Sequence, residues 1–287
     1  MTKLGVIGGS GLYDIEQMTD VRKERVETPF GNPSDDLILG RVGDREIVFL
    51  PRHGVGHYLN PTEVPYRANI HAMKQLGVTH LLSVSAVGSL TERYPPLTLV
   101  CPDQIIDRTI HRDRTFFEHG VVAHVGMAHP FCPDFTSCLI SRAEVAGISV
   151  QRGGTYVAIE GPQFSTIAES ELYRSWGAAI IGMTAMPEAR LAREAELHYV
   201  QLAMVTDFDV WHEDEGHVSV EKVVEYLHRN AANAKKVVLS LLNGGLDWPS
   251  TCTCPTALAN AIITASDRIP AEQRKRLSVI AGKYFKS

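Results

Sequence analysis

The 287-residue chain is predicted to be α/β from two observations. Residues 178–209 read as strand, helix, strand. The apolar run Ala178–Ile181 stops at Gly182-Met183-Thr184, a segment begun near Pro187 carries Glu188 and Arg190, and the apolar run Val200–Val205 ends in Thr206-Asp207-Phe208-Asp209. In addition, two apolar runs, Lys3–Ile7 and Thr79–Ser85, each break into small-residue turns, with a helical segment closed by Gly77 before the second.

If Asp207 and Asp209 continue their strand out of the sheet, period-two geometry sends both carboxylates to one face and Phe208 to the other. Open α/β sheets place ligand chemistry at such strand ends. An isolated Asp-x-Asp is more often an N-cap beside a solvated acid, so the pair gains meaning only from the rest of the chain.

In chain order, Lys3–Ile7 breaks into Gly8-Gly9-Ser10-Gly11, whose backbone N–H groups and hydroxyl can cradle an anion. These glycines do not fit G-x-G-x-x-G, which argues against a dinucleotide fold. Leu37–Val42 and Glu46–Leu50 form a hairpin through Gly43-Asp44 and deliver Pro51-Arg52-His53-Gly54. An Arg and a His at a strand end suit an oxyanion, and an exposed surface loop fits them equally well. A helix over Pro65–Gln75 ends at Gly77. Thr79–Ser85 then breaks into a second anion-competent turn, Ser85-Ala86-Val87-Gly88-Ser89.

Pro102–Asp107 is expected to be a strand, and residues 108–131 a long irregular loop serving an interface or lid. Phe135–Ala146 is a helix, Ser149–Tyr156 and Val157–Ile159 are strands leading to Glu160-Gly161-Pro162-Gln163-Phe164-Ser165, and Ser170–Trp176 is a helix. Val218–Leu242 is a long amphipathic helix, and a final helical segment starts near Ala271.

No linker, repeat or charge block divides the chain, so one domain over residues 1–287 is expected, with a C-terminal helical extension from about residue 245. A net charge of −5 argues against a nucleic-acid binder, since phosphate contacts need a clustered basic face. The sequence shows neither a signal-peptide pattern nor an apolar run of membrane-spanning length, which points to the cytoplasm. Five cysteines fit reduced thiols better than a disulfide framework. A zinc reading of Cys252 and Cys254 needs further ligands, and none lie near them in sequence. His212 and His217 flank acidic residues without metal-site spacing, so no metal is expected.

Taken together, Gly-Gly-Ser-Gly-Leu, Arg52-His53-Gly54, Ser85-Ala86-Val87-Gly88-Ser89, Glu160-Gly161-Pro162-Gln163-Phe164, Gly182-Met183-Thr184 and Thr206-Asp207-Phe208-Asp209 stand in one order. In this the chain resembles the trimeric purine nucleoside phosphorylases, and among them the branch acting on methylthioadenosine, from Gly5 to about Leu242. The resemblance implies a mixed β-sheet partly closed into a distorted barrel and flanked by helices, in a homotrimer or a dimer of trimers. It implies phosphorolysis of a purine nucleoside to base and ribose 1-phosphate, with inorganic phosphate as co-substrate and no metal or organic cofactor.

Carried over by position, the phosphate site is Ser10, Arg52, His53, Ser85, Ala86 through its N–H, and Thr184. Met183 meets the ribose, and Phe164, Ser165, Asp207 and Asp209 meet the base. Val220, Val223 and Val224 lie near the 5′ substituent, where apolar residues favour a methylthio group; they serve equally as core. His124 matches a position that reaches a neighbour's site. Relatives often carry Thr at Ser10, and some carry Asn at Gly182.

The two acids carry the chemistry. Breaking the glycosidic bond pushes negative charge into the purine, so a donor at N7 lowers the barrier, and a protonated Asp207 can supply it. Asp209 can accept from the exocyclic amine of adenine, whereas a 6-oxo group would face it as a second acceptor. Methylthioadenosine phosphorolysis is therefore the leading expectation. The alternatives are a phosphorylase of broader or 6-oxopurine preference and, in another class, a nucleoside-binding module without turnover.

Overall fold

The computed structural model describes residues 2–9, 12, 15–212, 220–246 and 251–285, with the side chains of 220–224 outside that description. Strand β1 (Leu4–Gly8) is buried at every position, as a central strand covered on both faces must be. It pairs in parallel with β4 (Arg45–Pro51) and with β5 (His80–Ser89). β3 (Leu37–Val42) forms the expected hairpin with β4, its last pair Val42↔Arg45 closing over Gly43-Asp44. Outside β3 lies β2 (Thr19–Glu24), which the sequence reading missed. Its TDVRKE sequence is largely exposed, and that charged edge discourages pairing with another chain.

β5 is where the sheet forks. Along one side it pairs in parallel with β11 (His198–Asp207) from His80 to Gly88. On the other side β1 covers it only from His80 to Ser83, and β10 (Ala178–Gly182) joins it antiparallel at Gly88 and Ser89. Val84–Val87 therefore lie between two partners. One branch continues through β10 and β9 (Thr155–Ala158) to β7 (Gln104–Asp107), the other through β11 and β6 (Leu99–Cys101) to β8 (Val150–Arg152). The branches approach each other where β8 passes into β9 at Gly153-Gly154, both at positive φ, and single bonds such as Gly153 N–H to Cys101 O cross there. No ladder among the described residues joins β8 to β9 or β7, so the mixed sheet is not closed.

Helices cover the sheet: α1 (Tyr66–Gln75), α2 (Pro133–Val145), α3 (Ile167–Ser175), α4 (Ala185–Glu194) and α5 (Val220–Gly244). α3 starts earlier than expected because Thr166 and Glu169 form a reciprocal capping box. β5 runs on through Ser85–Ser89, which sequence alone suggested as a turn; pairing with β11 and then β10 holds those small residues extended. After residue 245 come short 3-10 turns, α6 (Ala271–Arg276) and α7 (Ser278–Ala281). This segment is tied back to the body through Glu196, which accepts from Leu258 N–H (3.0 Å) and Tyr284 O–H (2.6 Å) and pairs with Lys283 (2.6 Å). Among the described residues, no helix is long and apolar enough to cross a membrane.

Candidate active site

β11 stays buried to Thr206 and stops at Asp207. The chain does not continue extended, as period-two reasoning required. Asp209 takes φ +54° and begins a 3-10 turn, Asp209–Trp211, that Trp211 Nε1–H anchors to Ser89 O at 2.8 Å. Asp is among the few residue types that tolerate this left-handed conformation. The turn still brings the acids together: Asp209 N–H donates to Asp207 Oδ1 at 2.9 Å, and Thr206 O–H donates to Asp207 Oδ2 at 2.7 Å. Beneath them lies Gly88, where a Cβ would sit 3.0 Å from Asp207 Oδ1 and 3.3 Å from Asp209 Cβ.

The raised pKa falls on Asp209. Burial pushes its pKa up, a hydrogen bond from Ser170 (Oγ to Oδ2, 2.6 Å) opposes this, and the Asp207 carboxylate pushes it further up. Asp209 is also the less solvated member of the pair, Asp207 being half-buried. Ser170, fully buried on α3, went unnoticed because a serine inside a helix carries no local signal.

Arg52 behaves differently from expectation. It is 1% exposed, and its guanidinium is bound inward: Nε and Nη2 to Glu188 (2.9 and 3.2 Å), Nη1 to Val84 O (3.0 Å), and Nη2 to Ser83 Oγ (2.6 Å) and Ile7 O (3.1 Å). Instead of offering a free fork to an anion, it lays a buried positive charge under the fork of the sheet. The pair is extended by Tyr199 O–H to Glu188 (3.0 Å), Tyr199 O–H to Gln201 Oε1 (3.4 Å) and Gln201 Nε2–H to Ser85 Oγ (2.8 Å). A buried ion pair needs such saturation to offset its desolvation.

His53 gives Nδ1 to Leu59 O at 2.9 Å, which leaves Nε2 as the acceptor of a neutral ring. Burial, and then the Arg52 charge, push its pKa down to about 4, against the Leu59 hydrogen bond. Ser85 and Ala86 are partly and fully accessible, within a strand otherwise buried up to that point. Thr184 stands just before α4, and its buried hydroxyl, like that of Tyr156, has no partner among the described residues. A hydroxyl so placed can serve an anion. Three residues of strand separate Ser85 from Gly88, about 10 Å. That leaves room for one pentose between an anion site and the carboxylates.

Tyr156 also accounts for Gly182. A Cβ at 182 would lie 2.1 Å from the Tyr156 Oη, so a larger residue there has no space. Met183 packs over Gly161 (φ +67°), whose Cβ would lie 2.5 Å from Met183 Sδ. Arg112, buried in the irregular loop, fastens this corner: it binds the carbonyls of Glu160, Met183 and Met186, and pairs with Glu160 at 3.2 Å. Glu160 pays desolvation but is pulled down to about 2 by hydrogen bonds from Thr62, Ile110 and His111 and by Arg112. Nothing in the loop's sequence singled out Arg112.

Phe164 is 63% exposed, and Ser165 nearby has a buried hydroxyl without a partner among the described residues. His124 does not join the carboxylates; it is exposed and lines a separate cavity of about 450 Å³ with Asp107, Arg190 and Glu194. Ser10 lies outside the described residues, and Val220, Val223 and Val224 are placed only as the first turn of α5, their side chains outside the description.

The expectation that Cys252 and Cys254 have no further ligands fails. Cys132 and His198 reach them from α2 and β11, and the four donor atoms lie within 4.8 Å of one another. Ligands from three distant segments leave no spacing for a sequence to show.

A family model described as the phosphorylase superfamily matches residues 3–243. The S-methyl-5′-thioadenosine phosphorylase of Koribacter versatilis (strain Ellin345) is 53% identical over 283 residues, covering 99% of this chain and 97% of that protein. A methylthioadenosine phosphorylase sourced from an antarctic soil metagenomic library superposes with a TM-score of 0.91 at 48% identity, covering 97% of this chain and 98% of that one. The Schistosoma mansoni enzyme of that name, in complex with adenine, gives 0.82 at 40%, covering 86% and 94%.

Proposed function

The chain belongs to the phosphorylase superfamily, and we infer that it catalyses phosphorolysis of S-methyl-5′-thioadenosine to adenine and 5-methylthioribose 1-phosphate. It is a pentosyltransferase of the purine nucleoside phosphorylase type, serving purine and methionine salvage. The observation that carries the base assignment is the meeting of Asp207 and Asp209 at the end of β11, with Asp209 pushed towards its protonated form.

Phosphate attacks the anomeric carbon, the glycosidic bond breaks, and its electron pair passes into the purine. A carboxylic acid facing the base donates to N7 as that charge develops, while a carboxylate oxygen accepts from the exocyclic amine. Asp207 is assigned to N7 and Asp209 to the exocyclic amine, and burial raises the pKa of Asp209. Ser170 positions that carboxyl without touching substrate.

Phosphate is assigned to the fork: Ser10, His53, Ser85, the Ala86 N–H and Thr184, with Arg52 supplying positive potential from beneath. The neutral His53 presents Nε2 as an acceptor, which suits the remaining proton of hydrogen phosphate. The unpaired hydroxyl of Thr184 supports the same placement. Met183 is assigned to the ribose, Phe164 and Ser165 to the base, and Val220, Val223 and Val224 to the methylthio group. Phosphate being the nucleophile, the reaction calls on no metal or organic cofactor.

The working protein is assigned as a cytoplasmic homo-oligomer, a trimer or a dimer of trimers, in which His124 of one copy completes the site of the next. The exposure of His124 and Phe164 supports this.

The test is adenine release from methylthioadenosine with and without inorganic phosphate. Release that requires phosphate and yields the 1-phosphate is expected. Release in its absence would make the protein a hydrolase and remove the phosphate site.

A further inference from the structure

Four side chains outside the reaction centre converge at the opposite end of β11. Cys132 is the N-cap of α2, His198 opens β11, and Cys252 and Cys254 lie in the segment after α5. Cys132 Sγ is 3.3 Å from His198 Nδ1 and 3.5 Å from Cys252 Sγ, and Cys252 Sγ is 3.3 Å from His198 Nδ1. We propose that Cys132, His198, Cys252 and Cys254 form a structural Cys3His zinc site that fastens the C-terminal segment to the body of the protein.

The separations among Cys132, Cys252 and His198 match those of a tetrahedral shell, and the Cys254 sulfur lies within 4.8 Å of each. Zinc–sulfur bonds of ~2.3 Å and a zinc–nitrogen bond of ~2.0 Å place neighbouring donors ~3.8 Å apart for two sulfurs and ~3.6 Å for sulfur and nitrogen. The observed separations fall within a few tenths of an ångström of these. A disulfide is a poorer reading, because its sulfurs stand at ~2.05 Å, and none of the five cysteines is joined in one. Three soft thiolates and one imidazole favour zinc over magnesium, calcium or manganese. Four protein donors close the shell, the mark of a structural and not a catalytic site.

The outer contacts fit as well. Arg193, itself buried, donates to Cys254 Sγ at 3.4 Å, and Phe135 N–H donates to Cys132 Sγ at 3.4 Å. Asp134 accepts from the N–H groups of Thr251 (2.7 Å) and Cys252 (2.8 Å), which fixes the approach of the Cys252 loop. Binding releases the three thiol protons to solvent. One zinc dication with three thiolates and a neutral imidazole carries a single negative charge, which the Arg193 guanidinium balances. The site lies at the start of β11, whose other end carries Asp207, so it fastens the fold without entering the reaction.

The experiment uses the full chain purified under reducing conditions without a metal-affinity step. Elemental analysis is expected to find about one zinc per chain in the unaltered protein and in Cys138→Ser, and none in Cys252→Ser. Cobalt(II) added to chelator-stripped protein should give the intense visible bands of a tetrahedral site with a sulfur-to-cobalt charge-transfer band; this needs no variant, so a misfolded variant cannot obscure the answer. Arg193→Ala should weaken zinc binding ~10-fold or more, as loss of an outer-shell partner does. Stripping should lower Tm by several degrees and leave kcat/KM at 25 °C within about twofold. No zinc, no thiolate–cobalt band and five titratable thiols would overturn the proposal, as would a mass two hydrogens light that shows a disulfide in the native protein.

Discussion

The two ends of β11 carry different kinds of chemistry on one strand. At its end, Asp207 and Asp209 sit two residues apart, joined by the Asp209 N–H donating to the Asp207 carboxylate, one half-buried and the other buried. At its start, His198 meets sulfur atoms 66 and 54 residues away in sequence, with no room left in the shell. Between the ends runs the Arg52–Glu188–Tyr199–Gln201 network. A reaction centre needs acids that can face a substrate, so it can be built from one local turn. A fastening needs parts of the chain that would otherwise separate, so it draws on distant segments.

The comparison breaks if the middle network is dispensable. Glu188→Gln leaves the Arg52 charge buried without its partner, and a loss of ~3–5 kcal/mol is expected in urea unfolding. A loss below about 1 kcal/mol would show that Arg52 turns to solvent or to the anion site, as its first assignment held.

Next in size is a pH effect near the start of β11. Glu194 accepts from Phe116 N–H and Thr115 O–H, both at 2.7 Å, and burial lifts it to about 7 against those bonds. A carboxyl raised in the native state contributes stability that is full below its unfolded value and lost as pH rises through 7. The shift is worth at most ~3 kcal/mol. His53, pushed down to about 4, works in the opposite sense: its contribution is full above about 6.5 and lost as pH falls towards 4. Between pH 4.5 and 6.5 the two oppose each other. Glu194→Gln should therefore make stability rise with pH across that window, read from denaturant midpoints; an unchanged profile would mean that Glu194 titrates normally.

Gly182→Ala should cost ~1–3 kcal/mol by overpacking against Tyr156. Tyr156→Phe in the same chain removes the contacting hydroxyl and should recover part of it, read as coupling in a double-mutant cycle. Additive losses would show that the hydroxyl is not what excludes a side chain at 182.

Least costly to the fold is Ser170→Ala, expected to lose ~1 kcal/mol of stability. It should also move the acidic limb of the kcat/KM pH profile upward, because the hydrogen bond it removes lowers the Asp209 pKa. A limb that stays in place would leave Ser170 a packing residue.

What could be read before the structure follows the same division. The strand–helix–strand of residues 178–207 and the hairpin over Leu37–Pro51 announce themselves through apolar runs and turn residues within short windows. The Asp-x-Asp was legible as a pair, although the turn at Asp209 that joins the acids depends on a positive φ that no periodicity reveals. Ser170, Tyr156 and Arg112 were not legible, because each acts on a partner at least 26 residues away in the chain. The inward turn of Arg52 was equally hidden: a strand-end arginine reads alike whether it meets an anion or a glutamate 136 residues on. The cysteines failed for the same reason, since one Cys-x-Cys shows half of a shell.

Most directly decisive is the ratio of kcat/KM for methylthioadenosine to that for its 6-oxo analogue, methylthioinosine, in the unaltered protein and in Asp209→Asn. An asparagine amide can donate to a 6-oxo group, which a carboxylate cannot do. The ratio should strongly favour the 6-amino substrate in the unaltered protein and fall by ~10-fold or more in the variant, about the weight of one well-placed hydrogen bond to a charged group. Equal loss on both substrates would mean that Asp209 does not read the base, and a rising ratio would contradict the assignment outright.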